Sequence, residues 1–232
     1  MEAIKIIFSN SPEGIHFKKT HENHPMIFEK ICLNMLNEGE NIIGEGNAAK
    51  VFFVGHSPSH CVKVIKSELG EDAVQFPIDT ERDIQEKASR LNVGRRFVPY
   101  PSFAVPKTED NDTEMLVMER VNGVSIRDVL ENSESFPASF NVYQFFEKLQ
   151  EYIDSLHENN IYHRDLHEGN VMIDNDTGLP WIIDFGASQE SIGSDEEEIY
   201  NLRTIGSVTR RLLNDNNSVN TLRKKVLQYL SN

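Results

Sequence analysis

Two short polar runs, held apart by a compact apolar hairpin, limit how this chain can fold. The run Ile161-Tyr162-His163-Arg164-Asp165-Leu166-His167-Glu168-Gly169-Asn170 ends fourteen residues before Asp184, which opens Asp184-Phe185-Gly186. Between them, Val171-Met172-Ile173 and Trp181-Ile182-Ile183 flank Asn175-Asp176-Thr177-Gly178. Short apolar runs around such a polar, glycine-ended turn predict a tight hairpin. Both polar runs then lie at strand–loop junctions. A helix is predicted just upstream, from about Tyr143 to Asn159, with Phe146, Leu149, Ile153 and Leu156 on one face. It would brace the first polar run from below.

The residue types in these runs suit phosphoryl transfer from a nucleotide. Such a reaction needs an in-line nucleophile and neutralisation of the charge that develops on the phosphoryl group. Asp165 would accept the proton of the attacking hydroxyl and orient it, and positioning contributes more here than basicity. Asn170 offers a neutral amide oxygen and Asp184 a carboxylate, both hard donors suited to Mg2+ when phosphates supply its other ligands. Taken singly, each of these residues reads as a turn or cap former. In order they spell H-R-D-L-x-x-x-N and D-F-G, and with them the chain resembles the protein-kinase-like superfamily.

That resemblance gives a meaning to upstream residues that are weak signals alone. Ile43-Gly44-Glu45-Gly46-Asn47-Ala48-Ala49 supplies the first two glycines of a phosphate-covering G-x-G-x-x-G loop, with Ala49 at the third. Val51-Phe52-Phe53-Val54 follows as a strand, then Cys61-Val62-Lys63-Val64-Ile65. Lys63 fits the lysine that pairs the nucleotide phosphates, because it lies inside the alternating strand pattern; Lys66 is the rival. Its acidic partner is expected on the next helix at Glu81, with Glu86 as the alternative. Gln85 stands four residues after Glu81, where the family usually has an apolar residue. Met115-Leu116-Val117-Met118-Glu119-Arg120-Val121 resembles the strand and hinge that hold adenine. By resemblance Met118 is the gatekeeper, the backbone of Glu119 and Val121 bonds the adenine edge, and Val51, Cys61 and Met172 enclose the ring.

Composition narrows the partners. A formal net charge of −14 disfavours nucleic acid, whose phosphates reward basic surfaces. Two cysteines, Cys32 and Cys61, make no disulfide framework and suit a reducing compartment. Met1 to Phe8 lacks the pattern of a signal peptide, and no apolar run is long enough to span a membrane. A cytoplasmic protein is expected, or one delivered into another cell as an effector. His16, His21, His24 and His56 lack metal-site spacing and read as surface residues. Residues 1–40, with a strand-like Ile4–Phe8 and a helix-like stretch around Ile27, Ile31, Met35 and Leu36, are expected to pack on the small lobe.

The implied architecture is α+β and two-lobed: a small antiparallel-sheet lobe over residues 1–118, and a truncated, mostly helical lobe over 119–232, with ATP between them. Three features depart from the family. His167 replaces the lysine usual in serine/threonine kinases two residues after the catalytic Asp. No A-P-E signature follows Gly186; instead Ser194-Asp195-Glu196-Glu197-Glu198 leads into a helical pattern through Leu202, Ile205, Val208 and Leu212. Glu198 is expected to replace the buried Asp that ties this helix to the catalytic loop, with Ser194 as a helix cap. Only one more helix, about Val219 to Leu230, follows. Arg164 would meet a phosphorylated Ser188, Ser191 or Ser194, or else activity needs no phosphorylation. The expected function is ATP- and Mg2+-dependent phosphorylation of a protein Ser or Thr. A kinase for a small-molecule hydroxyl, suggested by His167 and Gly169, and a silent kinase-like binding module, suggested by Ala49, are the alternatives.

Overall fold

A computed structural model describes residues 5–25, 42–54, 57–66, 76–109, 113–190 and 215–231. The chain forms two compact units. One comprises Met1–Lys87 with Pro99–Arg120, the other Ala88–Val98 with Val121–Asn232. The fold class is α+β, with an antiparallel sheet dominating the first unit and helices the second.

In the first unit, β1 (Ile7–Phe8), β2 (Ile42–Glu45), β3 (Ala49–Val54), β4 (Ser57–Ile65), β5 (Pro101–Val105) and β6 (Met115–Glu119) form one sheet in the order β1-β5-β6-β4-β3-β2. Every pairing is antiparallel. Strand alternation sorts side chains onto two covered faces. Val62, Phe103, Val105, Met115 and Val117 pack with Phe8 and Phe17 on one. Cys61, Ala104, Leu116 and Met118 pack with Val51 and Ile65 on the other, against Ile78 of helix α2 (Ile78–Ser89). Lys63 lies two residues from both Cys61 and Ile65, so the same alternation turns it toward the α2 face.

The expectation that the N-terminal residues pack on this unit holds for residues 5–25. The strand is shorter than Ile4–Phe8, and the helix-like stretch around Ile27 lies outside the described residues. Helix α1 (Pro12–Asn23) was not anticipated, although Ser11-Pro12-Glu13 is a start signal: a capping hydroxyl, then proline in the first turn. Ser11 Oγ accepts the Gly14 N–H at 3.0 Å and donates to the Pro101 carbonyl at 2.8 Å. A Cβ on Gly14 would stand 2.4 Å from the Ser9 carbonyl and 2.7 Å from that of Ser102, so only glycine lets α1 approach the sheet this closely.

In the second unit, β7 (Gly123–Ser125), β9 (Val171–Asp174) and β10 (Pro180–Ile182) form a sheet in the order β10-β9-β7, and β8 (Ile161–Tyr162) pairs with β11 (Gln189–Glu190). The predicted hairpin is present. Gly178, at φ +69°, closes it by donating to the Asp174 carbonyl at 2.8 Å. A short helix α3 (Ile126–Leu130) precedes α4 (Val142–Glu158), which buries Phe145, Phe146, Leu149, Tyr152, Ile153 and Leu156. Residues 88–98 join this unit through Phe97, which stacks on Tyr152 at 4.2 Å and accepts the Ile182 N–H at 2.9 Å. Helix α5 runs from Asp215 to Leu230, beginning before the expected Val219, and buries Val219, Leu222 and Val226.

Gly14→Ala forces a backbone shift where α1 meets β5. Its expected cost is about 1–3 kcal/mol of unfolding free energy, read as a lower urea midpoint at unchanged slope.

Candidate active site

The candidate residues form one cluster in each unit. In the first, Lys63 Nζ donates to Glu81 Oε1 at 2.8 Å and Oε2 at 2.9 Å. Both side chains are almost wholly out of solvent, at 3% and 0% exposure. Taking two charges out of water is costly unless each is paired and hydrogen-bonded, and this two-point contact does both. The alternatives are engaged elsewhere: Glu86 lies 3.8 Å from Arg82, and Lys66 pairs with Glu45 at 2.8 Å. Gln85, the odd residue of the helix, is buried, and its Nε2 donates to the Pro99 carbonyl at 3.0 Å and contacts Met118 Sδ at 3.5 Å. These partners replace water for the amide nitrogen, while Gln85 Oε1 is buried without a hydrogen bond among the described residues.

The glycine hairpin between β2 and β3 closes through the Gly46 N–H to the Ala49 carbonyl at 2.9 Å. Ala49, at the third glycine position, points into the core. A Cβ on Gly46 would meet nothing within 4 Å, and one on Gly44 only Val51 Cβ at 4.0 Å. Internal packing therefore does not demand these glycines, and bare backbone facing open space fits a phosphate. Val51, Cys61 and Met118 share one apolar cluster. Burial pushes the Cys61 thiol up to about 12. The Glu119 N–H donates to the Tyr100 carbonyl at 2.8 Å, so the carbonyl of Glu119 is what it can turn to an adenine edge.

In the second unit, Asp165 and Asn170 lie on one loop. Asn170 Nδ2 donates to the Asp165 carbonyl at 2.9 Å and approaches its Oδ2 at 3.4 Å. This orients the amide and leaves its oxygen without a hydrogen bond among the described residues. Asp184 Oδ1 accepts the Gly186 N–H at 3.1 Å, at a backbone φ of +63°. A non-glycine residue in that region is strained and persists only where its surroundings hold it. No group of three or more His, Cys, Asp or Glu among the described residues could hold a metal. A two-donor set from Asn170 and Asp184 suits Mg2+ shared with phosphate oxygens. Met172 lies on β9, opposite Trp181 and Ser125.

The loop is held by a residue not anticipated from sequence. Asp215, at the start of α5, accepts the His163 N–H on Oδ2 and the Arg164 N–H on Oδ1, each at 2.9 Å, and His157 Nε2 lies 3.1 Å from Oδ2. Arg164 adopts φ +68° and is locked by these bonds. The tether expected of Glu198 is thus made by Asp215, while Glu198, Ser191, Ser194 and the helical pattern around Leu202 lie outside the described residues. Burial raises the Asp215 carboxyl, but the His157 bond, the electrostatic influence of the nearby His163 ring and the two N–H donors outweigh it, leaving the group below its ordinary range. His163 Nε2 donates to the Ile183 carbonyl at 3.0 Å and the ring packs edge-on against Phe185 at 5.0 Å, joining both polar runs.

Two expectations about charge are revised. Ser188 is buried, with Oγ donating to the His163 carbonyl at 3.1 Å, so it is no exposed phosphorylation site; Arg164 Nη1 donates to Gln189 Oε1. His167 Nδ1 accepts the Gly169 N–H at 2.9 Å, which puts the proton of the neutral ring on Nε2, 3.7 Å from Asp165 Oδ2. Burial lowers the His167 pKa, only partly offset by Asp165, and nearby Arg127 lowers it further. Arg127, on α3, places Nη2 at 3.3 Å from His167 Nδ1. Its sequence context, Ser125-Ile126-Arg127-Asp128, signals only the capping box that is present there.

Comparison with known families matches residues 38–209 to the protein kinase domain. The chain is 31% identical to mitogen-activated protein kinase kinase 2 of Arabidopsis thaliana over 150 residues, 63% of this chain and 39% of that protein. It is 26% identical to mitogen-activated protein kinase kinase kinase 3 of the same plant over 188 residues, 80% of this chain and 27% of that protein. It is 24% identical to CBL-interacting serine/threonine-protein kinase 16 of Arabidopsis thaliana over 177 residues, 74% of this chain and 34% of that protein. The chain thus spans well under half the length of these relatives. A solved kinase domain superposes with a TM-score of 0.49 at 15% identity, over 66% of this chain and 51% of that one.

Asp215→Ala leaves two backbone donors and His157 without their acceptor, and is expected to cost about 2–4 kcal/mol in urea unfolding at neutral pH. The folded Asp215 pKa is depressed, so its contribution is complete above the ordinary carboxylate range and is lost as pH falls through the folded value. Asp215→Asn should flatten the acid limb of the stability profile.

Proposed function

This chain belongs to the protein kinase domain family, and we propose that it transfers the γ-phosphate of ATP to a serine or threonine hydroxyl of a protein. The observation that carries this reading is the buried Lys63–Glu81 pair, at 2.8 and 2.9 Å. The pair holds an ammonium oriented and out of water, as a lysine that meets nucleotide phosphates requires. The serine/threonine acceptor is supported by the name of one relative, CBL-interacting serine/threonine-protein kinase 16.

Under this proposal each cluster has a part. Lys63, oriented by Glu81, meets the nucleotide phosphates, and the backbone at Gly44 and Gly46 approaches them closely. Val51, Cys61, Met118 and Met172 contact the adenine ring, with the Glu119 carbonyl and the Val121 N–H on its edge. Asn170 Oδ1 and the Asp184 carboxylate would hold Mg2+, which when bound neutralises charge developing on the phosphoryl oxygens. Asp165 orients the acceptor hydroxyl and takes its proton. His167, neutral with its proton on Nε2, can steady the Asp165 carboxylate without supplying a permanent positive charge. No helix among the described residues is long and apolar enough to cross a membrane, and the buried free thiol of Cys61 suits the reducing cytoplasm we propose for it.

The purified chain, incubated with Mg2+, γ-labelled ATP and a cell lysate, should label proteins. Asp165→Ala should reduce that label at least ~100-fold, and Asp184→Ala should abolish the Mg2+-dependent transfer. Label confined to small molecules would overturn the protein-substrate reading. Nucleotide binding with no turnover would overturn the enzyme reading.

A further inference from the structure

Arg127 is the feature of the second unit that the proposed reaction leaves unused. Its backbone N–H donates to the Glu168 carbonyl at 2.9 Å, pinning the start of α3 to the loop that carries Asp165. Its guanidinium lies close against that loop. A Cβ on Gly169 would stand 2.9 Å from Arg127 Cζ, so glycine makes room for it. Its Nη2 reaches His167 Nδ1 at 3.3 Å, and the far side of the same imidazole faces Asp165 Oδ2 at 3.7 Å. The cation is therefore one ring away from the carboxylate that receives the acceptor hydroxyl.

The charges around it are already committed. Asp128, its neighbour in sequence, accepts from Ser125 Oγ at 2.6 Å in the helix cap. Glu168, the acid of the loop itself, is paired with Lys225 at 3.0 Å. Among the described residues no carboxylate lies within the 4.0 Å of an ion pair with Arg127. The His167 contact does not neutralise it, because Nδ1 already takes the Gly169 N–H and the imidazole is uncharged in this tautomer. A planar, half-buried guanidinium with no anion among the described residues is suited to receive one from a partner.

We propose that Arg127 selects the acceptor: it recognises an Asp or Glu side chain within about three residues of the phosphorylated Ser or Thr. An extended peptide advances ~3.3–3.6 Å per residue, so an acid that close in sequence spans the gap from Asp165 to Arg127. The inference rests on the protein-kinase reading. It runs against the bulk field of a chain with net charge −14, which favours basic partners. A preference for acid would thus be a local effect of this one cation.

The test uses the whole chain with Mg2+, γ-labelled ATP and degenerate peptide pools around a fixed Ser/Thr, flanked by Asp/Glu, by Ala or by Lys/Arg. The quantity read is the ratio of kcat/KM on the acidic pool to that on the basic pool, taken within each variant so that overall activity cancels. The wild type should favour the acidic pool by about five- to tenfold, the size of one partly desolvated ion pair, with the difference mainly in KM. Arg127→Lys should keep most of that ratio, Arg127→Gln should bring it near one, and Arg127→Glu should invert it. If the last variant fails to fold, the Gln ratio decides. A wild-type ratio of one or less, or a ratio that Arg127→Gln leaves unchanged, would overturn this inference while leaving the kinase reading intact. No transfer to any pool would overturn both.

Discussion

The second unit depends on one carboxylate. Asp215 is separated from the loop that carries Asp165 by some fifty positions, yet it takes the backbone N–H of both His163 and Arg164. Those two bonds hold Arg164 in a left-handed conformation that a non-glycine residue adopts only at a cost. With Arg164 so fixed, Asp165 is presented at the loop surface and Asn170 can fold back onto its carbonyl. The second strained residue, Asp184, is approached from the other side: His163 bonds the Ile183 carbonyl and packs on Phe185. One buried anion thereby organises two polar runs that the hairpin keeps apart in sequence.

The first unit solves a different problem, that of keeping an ammonium and a carboxylate together away from water. Strand alternation brings Lys63 to the α2 face, and Ile78 seats the helix against Ala104, Leu116 and Met118 on that face. The N-terminal residues add a covering layer on the opposite face, where Phe8 and Phe17 pack on Phe103. That layer brings a sixth strand and a capped helix to the sheet, so the described N-terminal residues are part of its core.

What was legible in sequence follows from the range of the interactions involved. The α4 stripe, the Gly178 turn and the strand placing Lys63 all express periodicity or turn chemistry within a few residues, and they stand where the pattern puts them. Asp215 was missed because its partners are far away in sequence: at the head of a helix, an Asp reads as an ordinary capping residue. The same distance effect led to Glu198, an acid beside the loop in sequence, being expected in its role. Ser188 looked like a modification site because exposure cannot be read from a short polar run, and its burial comes from β8 pairing with β11. Arg127 carried no signal at all, since its significance arises only when α3 is pinned to the loop. The Ser-Pro-Glu start of α1 is a local signal with no apolar stripe behind it, since the residue this helix buries is Gly14.

The buried sulfur of Cys61 has a chemical consequence of its own. A thiol with its pKa pushed up to about 12 by burial is almost wholly protonated at neutral pH. Alkylating and oxidising reagents act on the thiolate, so this side chain is protected both by its apolar cover and by its protonation. It contributes a soft, polarizable contact to the cluster around Met118 and offers no nucleophile there. The face of the sheet shared by Lys63 and Cys61 should therefore keep its chemistry through redox excursions that would disable an exposed cysteine.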